Sequence, residues 1–174
     1  MTPYGPPLKF ALDVHHEGGA ATAVAVGFEE WNAAEATKTY VTKIAAVEKP
    51  PAGKSWLRDL PCLLQLLREH KLEPEAIVLD GFVHLDEQDT PGLGRHLFDA
   101  LGGKVPVIGL AKSPGAFTAP QFEVFREEEA APVIVTCAGI DLGAAKARVR
   151  SMHGRKRAPT LLKLVSRVAR GKAD

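Results

Sequence analysis

The sequence predicts a mixed α/β domain in which three antiparallel strands come first and later strands enter through helical crossovers. Three observations carry this. Three β-patterned runs joined by short links precede any helical spacing. Two later apolar runs, Ala76 to Asp80 and Val105 to Leu110, are continuous rather than alternating, as strands covered on both faces are. Each of those runs follows a segment with helical periodicity.

Leu8 to His15 alternates apolar with other residues and reads as the first strand. Glu17-Gly18-Gly19 is a turn signal, after which Ala21 to Phe28 and Thr37 to Val47 read as strands two and three of a meander. Lys49-Pro50-Pro51-Ala52-Gly53 breaks the chain. Ser55 is then a candidate N-cap for a helix over Trp56 to His70, with Leu57, Leu60, Leu63, Leu64 and Leu67 at helical spacing. Pro61 is tolerable there if the helix begins late. Ala76 to Asp80 reads as a strand ending in an acid and Gly81. Gly92 to Leu101 reads as a helix, and Val105 to Leu110 as a strand closing at Ala111-Lys112. Gln121 to Arg126 and Pro132 to Thr136 suggest a hairpin with Glu127 to Ala131 at its tip, and Gly143 to Met152 and Thr160 to Ala169 read as closing helices. No repeat, low-complexity segment or long linker divides the chain, so residues 1–174 read as one domain.

Composition narrows the class. An apolar fraction of 45% with 25% charged residues is that of a soluble globular protein. No apolar run approaches the roughly 20 residues that span a bilayer, and Met1 to Pro7 lacks the pattern of a secretory signal. The expectation is a cytoplasmic monomer without a membrane partner. Cys62 and Cys137 have neither a disulfide framework nor a zinc-type spacing and read as apolar fillers. The net charge is only +1, but Leu142 to Ala173 contains no acid while carrying ten basic residues, Lys146, Arg155, Lys156, Arg157 and Lys163 among them. That end suits a polyanion, although solvated helix faces are the simpler account of charge alone.

Two acids stand at strand positions where charge needs a reason. Asp13 lies within an otherwise apolar strand, and Asp80 ends the first buried one. If those strands are neighbours, both carboxylates meet beyond the strand ends, where ligand sites of open α/β sheets form. Paired carboxylates suit Mg²⁺, a hard cation that takes oxygen ligands and keeps room for water and phosphate. Singly, each has a plainer account: Asp13 faces solvent or pairs with Lys43, and Asp80 serves an Asp-Gly turn. Together they make a metal site a competing reading. Lys112, at the end of the next strand, then either supports developing negative charge or simply faces solvent. His15-His16 suggests another metal site, but adjacent strand residues point to opposite faces.

The motifs resemble those of the endonuclease V family. Leu12-Asp13-Val14-His15 is similar to its opening G-[IV]-D-V strand, and Gly53 to Pro61 to its P-G-x-L-x-F-R-E-x-P helix start. Val78-Leu79-Asp80-Gly81 with Gly92 to Leu97 resembles L-V-D-G-H-G…G-L-A-S-H-L-G, and Val107 to Lys112 resembles T-I-G-V-A-K. Pro132 to Thr136 with Ile140-Asp141-Leu142, and His153 to Pro159 running into Ser166-Arg167, complete six segments in order. The resemblance implies a ribonuclease-H-like mixed sheet flanked by helices. It also implies an endonuclease that uses Mg²⁺ or Mn²⁺ to cut 3′ of a hypoxanthine base in DNA or RNA repair or processing. It implies metal carboxylates at Asp13, Asp59 and Asp80, a later ligand at Asp141 and a catalytic lysine at Lys112. Nucleic-acid contacts fall to Gly53, Gly81 and His84, with Arg155, Lys156 and Arg157 along the backbone.

The chain departs from the pattern in several places. Asp59 replaces a glutamate, withdrawing the carboxylate by one methylene, roughly 1.5 Å. Lys49 to Gly53 lacks the family's wedge tyrosine; Trp56 is available for stacking, although its spacing suits the core. Phe82 to Glu87 replaces H-G-x-A-H-P, leaving His84 as a stand-in or as a half-exposed loop histidine. No helix precedes the first strand. Two alternatives therefore stand beside the nuclease: a catalytically attenuated nucleic-acid-binding protein of the same fold, and a ribonuclease-H-like nuclease of different substrate specificity.

Overall fold

The computed structural model describes residues 6–126 and 131–172. The strands are β1 (Lys9–Glu17), β2 (Ala20–Phe28), β3 (Lys38–Ile44), β4 (Ala76–Asp80), β5 (Val107–Ala111), β6 (Glu123–Val124) and β7 (Val133–Ala138), and the helices α1 (Trp56–Glu69), α2 (Leu93–Ala100), α3 (Leu142–Ser151) and α4 (Thr160–Ala169). They form one seven-stranded sheet in the order β3-β2-β1-β4-β5-β7-β6. The β1–β2–β3 meander is antiparallel, β4 and β5 run parallel to β1, and β7 and β6 return antiparallel at the far edge. This is the expected architecture.

Alternation along each strand sorts the core into two layers. Phe10 and Leu12 of β1, with Ile77 and Leu79 of β4, pack under Cys62, Leu63 and Leu66 of α1 and Leu97 of α2. Ala11, Val24, Val26, Val78, Ile108 and Leu110 point the other way, under Val149 of α3 and Leu161, Leu162 and Val165 of α4. Both cysteines are free, Cys62 buried and Cys137 partly so.

Several local expectations change. The first helix begins at Trp56 rather than late, so Pro61 lies inside it. Its opening turn closes instead through Leu57 N–H to Lys54 O and Arg58 N–H to Ser55 O, each 3.0 Å. The missing Pro61 donor thus costs one bond, at the Leu57 carbonyl. Ser55 occupies the N-cap position but its side chain makes no capping bond. Gln121 to Arg126 is not one strand: a 3₁₀ turn at Pro120–Phe122, anchored by Phe122 against Phe117 at 4.7 Å, shortens β6 to two residues. Most of the expected hairpin tip, 127–130, and the acids there lie outside the described residues.

Arg126 is 4% exposed, and its guanidinium is spent on backbone. It donates to Lys156 O at 2.7 Å, Gly154 O at 2.8 Å, Met152 O at 3.1 Å and, at shorter range, Val149 O. These carbonyls belong to the last turn of α3, where intrahelical donors run out, and to the segment after it. Arg126→Ala should therefore lower stability in urea unfolding by about 3 kcal/mol, with Arg126→Lys recovering only part because an ammonium cannot fork. A loss below about 1 kcal/mol would show that other donors satisfy those carbonyls.

Candidate active site

The geometry begins with strand register. Leu12 of β1 pairs with Leu79 of β4 in the parallel ladder, so the next residues, Asp13 and Asp80, stand abreast. Parallel partners in register face the same side, here that of Ala11, Val78 and α4. β4 is followed by β5, where Asp80 pairs with Leu110, two residues before Lys112. One edge of the sheet therefore gathers Asp13, Asp80 and Lys112. Lys43 does not take up Asp13; it donates to Thr22 Oγ1 at 3.2 Å.

The two acids are electrostatically strained. Desolvation is the largest effect on Asp13, and with repulsion from Asp80 and Asp59 it outweighs the Val14 N–H bond and the pull of Arg170, pushing the carboxyl up to about 6. Asp80 keeps an open outer side, yet desolvation still raises it, against the attraction of Lys112 and Arg170. Two partly desolvated carboxylates side by side form an oxygen donor set that fits a hard divalent cation. Among the described residues, no group of three His, Cys, Asp or Glu is close enough to hold a metal ion.

Close backbone packing fixes this edge. After Asp80 the chain turns through Gly81 at φ +143° and crosses β5 at Gly109. A Cβ on Gly109 would lie 2.6 Å from Gly81 O and 2.9 Å from Val83 N. The Val83 N–H is held by Thr136 Oγ1 at 2.8 Å, so the loop leaves Asp80 along one path.

Asp59 approaches from α1, on the opposite face, and acts on Asp13 electrostatically. Its Oδ1 accepts a hydrogen bond from His16 Nε2 at 2.6 Å. Asp141 is not brought to this edge. β7 runs antiparallel to β5 with Ala138 beside Val107, so Asp141, three residues beyond Ala138, follows at the opposite end of the sheet and occupies the N-cap position of α3. Arg157 is a fastener, donating to Lys112 O and, at 2.7 Å, to Pro132 O. Arg155 and Lys156 are exposed beside it. His84 is buried rather than half-exposed, and burial lowers its pKa; its segment bridges to Pro91, and its ring lies 3.9 Å from Asp89.

Four residues that the sequence offered only as part of a basic end and a family-like tail take definite places here. Lys163, Ser166, Arg167 and Arg170 recur on α4 and just past its end, on the side of the helix away from its buried leucines. With Asp80 and Lys112 they line a cleft of about 290 Å³. The signal was an i, i+4, i+7 spacing of basic residues on an amphipathic helix, legible only once α4 is known to cross β1. A second cleft, about 250 Å³, opens on the α1 side of Asp80 and is lined by Gly53, Trp56, Asp59, Gly81 and Phe82. Trp56 is not core: it is partly exposed and stacks on His96 at 3.5 Å and 12°.

No family model and no curated protein sequence matches the chain. Solved structures do. Endonuclease V of Ciona intestinalis, in complex with a 23mer DNA containing an inosine followed by a ribo-adenosine, aligns at a TM-score of 0.74 and 18% identity, over 94% of this chain and 85% of that one. The Streptomyces avermitilis endonuclease V aligns at 0.72 and 22% identity, over 96% and 82%. The Bacillus subtilis protein aligns at 0.73 and 18%, over 95% and 79%. The fold is the ribonuclease-H-like α/β fold seen in endonuclease V structures. Among the described residues, no helix is long and apolar enough to cross a membrane.

Asp13 yields a pH prediction. The native state holds this proton more tightly than the unfolded chain, so its contribution to stability is fullest below about 3.8 and is lost as pH rises through about 6. Asp13→Asn keeps an acceptor for Val14 N–H and removes the charge. At pH 7 the variant should be more stable than the parent by on the order of 2 kcal/mol, a gap that closes toward pH 4. Chemical unfolding across that range measures it; parallel profiles for the two proteins would contradict the strained pair.

Proposed function

We propose that the protein is a divalent-metal-dependent endonuclease that hydrolyses a phosphodiester 3′ to deaminated, inosine-type bases in nucleic acid. The observation that carries this reading is the pair Asp13 and Asp80, abreast on one face, with Asp80 lining a cleft that Lys112, Lys163, Arg167 and Arg170 also line. The substrate class is carried over from the Ciona protein, solved with inosine-containing DNA.

Asp13 and Asp80 would hold Mg²⁺, or Mn²⁺ in its place, with Asp59 alongside. When bound, such an ion supplies a nucleophilic hydroxide near neutral pH and neutralises phosphate charge. Lys112 would offset negative charge on the phosphate oxygens from the end of β5. Lys163 and Arg170 would neutralise neighbouring phosphates, a sequence-independent grip that sets register on the strand, and Arg155 and Lys156 extend it. The side-chain-free positions Gly53 and Gly81 leave room for a base on the α1 side, with Trp56 and Phe82 as apolar walls. Trp56, steadied by His96, offers the stacking surface that the loop before it lacks.

One observation favours a second reading. Asp59 is tied to His16, and only two carboxylates stand abreast, an arrangement compatible with binding without turnover. One assay separates the two. An inosine-containing oligonucleotide incubated with Mg²⁺ or Mn²⁺ should be nicked, an otherwise identical adenosine oligonucleotide spared, and Asp80→Ala should slow cleavage by at least about a hundredfold. Folded protein that cleaves with neither ion refutes the nuclease; salt-sensitive binding retained under those conditions selects the second reading.

A further inference from the structure

We propose that His15, Thr22 and Lys43, with Arg170 beside them, form a second phosphate site, which takes a backbone phosphate flanking the one at the Asp13–Asp80 pair. This rests on the nucleic-acid reading above and extends the path of the strand onto β2 and β3. The register lays the site out. His15 pairs with Thr22 across β1 and β2, and Thr22 with Lys43 across β2 and β3. Directly opposed residues of antiparallel strands share a face, so these three side chains make one row across the sheet. His15 is two residues past Asp13, which puts the row on the face that α4 covers, about 7 Å farther along β1. That step is comparable to the spacing of successive phosphates on an extended strand.

The row lines a cleft of about 380 Å³ that the end of α4 also lines. Arg170 belongs both to this cleft and to the one that holds Asp80, Lys112 and Lys163, so the two adjoin there. Its side chain is anchored: Nε donates to Ser166 O at 3.3 Å and Nη2 to Ser166 Oγ at 2.6 Å. A guanidinium carries five N–H bonds, so this anchor fixes the fork without exhausting it. Its charge also reaches both acids, pulling each carboxyl down. Standing at the C-cap, it offsets the negative end of the α4 dipole, which would otherwise repel an anion here. Farther along the row, the exposed Lys43 ammonium uses one of its three N–H bonds on Thr22 Oγ1. An ammonium and a guanidinium only donate, and an imidazole keeps an N–H in either tautomer, a set suited to phosphate oxygens. Glu17, two residues past His15, repels an anion from the outer rim.

The probe is a fluorescein-labelled, single-stranded inosine oligodeoxynucleotide. Its binding to the full chain is read by fluorescence anisotropy across a salt series, with EDTA or Ca²⁺ present to prevent turnover. Circular dichroism confirms that each variant is folded. Lys43→Ala should flatten the slope of log K against log salt by about 0.7, the mark of one single-strand phosphate contact, and weaken binding about fivefold near 0.1 M salt. Lys43→Arg should restore both, and Lys104→Ala, ahead of β5 at the opposite end of the sheet, should change neither. A neutral methylphosphonate then locates the contact. At one of the two phosphates flanking the bond to be cut it should weaken the parent, and add nothing in Lys43→Ala. Lys43→Ala with the parent's affinity and slope, or with the parent's methylphosphonate penalties at both positions, overturns the site and leaves the nuclease reading untouched. Lys43 effects that persist in a protein which binds but cleaves with neither Mg²⁺ nor Mn²⁺ keep the site and refute the nuclease. A parent that binds the oligonucleotide under neither condition overturns both.

Discussion

Parallel pairing of β1 with β4, in the register that sets Leu12 against Leu79, sets two carboxylates side by side where water only partly reaches them. Burial first, and then repulsion from Asp80 and Asp59, pushes the Asp13 carboxyl up to about 6. Nothing about the sheet's stability asks for it. The register is enforced by apolar layers on both faces: a slip of one residue would move Leu12 and Leu79 out from under α1 and turn Ala11 and Val78 away from α4. The core therefore holds the acids together against their mutual repulsion, and the exit of the chain over Gly109 gives the second acid no route of escape.

The same topology decides what the basic C-terminal end does. β7 runs to the far edge of the sheet, so α3 must return across it and delivers the segment 152–159 back to the edge with the acids. Two arginines secure that return. Arg126 closes the end of α3, and Arg157 ties the segment to the carbonyls of Lys112 and Pro132. The remaining cations divide by geometry rather than by density in the sequence. Arg170 acts electrostatically on both acids, and Lys163 shares the cleft with Asp80. A run of positive charge thus contributes fasteners from one position and a polyanion surface from others a few residues away.

Much of the fold was legible because pattern and burial agree. The continuous apolar run Ala76 to Asp80 is a central strand, and the helix Thr160–Ala169 matches its sequence periodicity residue for residue. Asp13 and Asp80 stood out because charge at apolar strand positions is costly, and the register brings them together. The weaker parts have physical causes. Gln121 to Arg126 has strand-like composition, but Pro120 and the packing of Phe122 on Phe117 curl it into a 3₁₀ turn. Asp141 follows a strand, yet that strand is antiparallel, so the end of its chain segment is the wrong end of the sheet. His84 looked like a loop residue and is buried. His16 stood out only beside His15, as a suggestion of another metal site; its contact with Asp59 was not legible, because that partner lies 43 residues away on a helix whose orientation no local pattern reveals.

The central claim is that Asp13 and Asp80 share one divalent cation. Crystals grown with Mn²⁺ and measured for its anomalous scattering test it directly. The account requires a single strong peak between the two carboxylates, each contributing an oxygen at about 2.1 Å, with remaining positions filled by water. Mn²⁺ bound elsewhere, with those two carboxylates turned apart and bridged only by solvent, would contradict it.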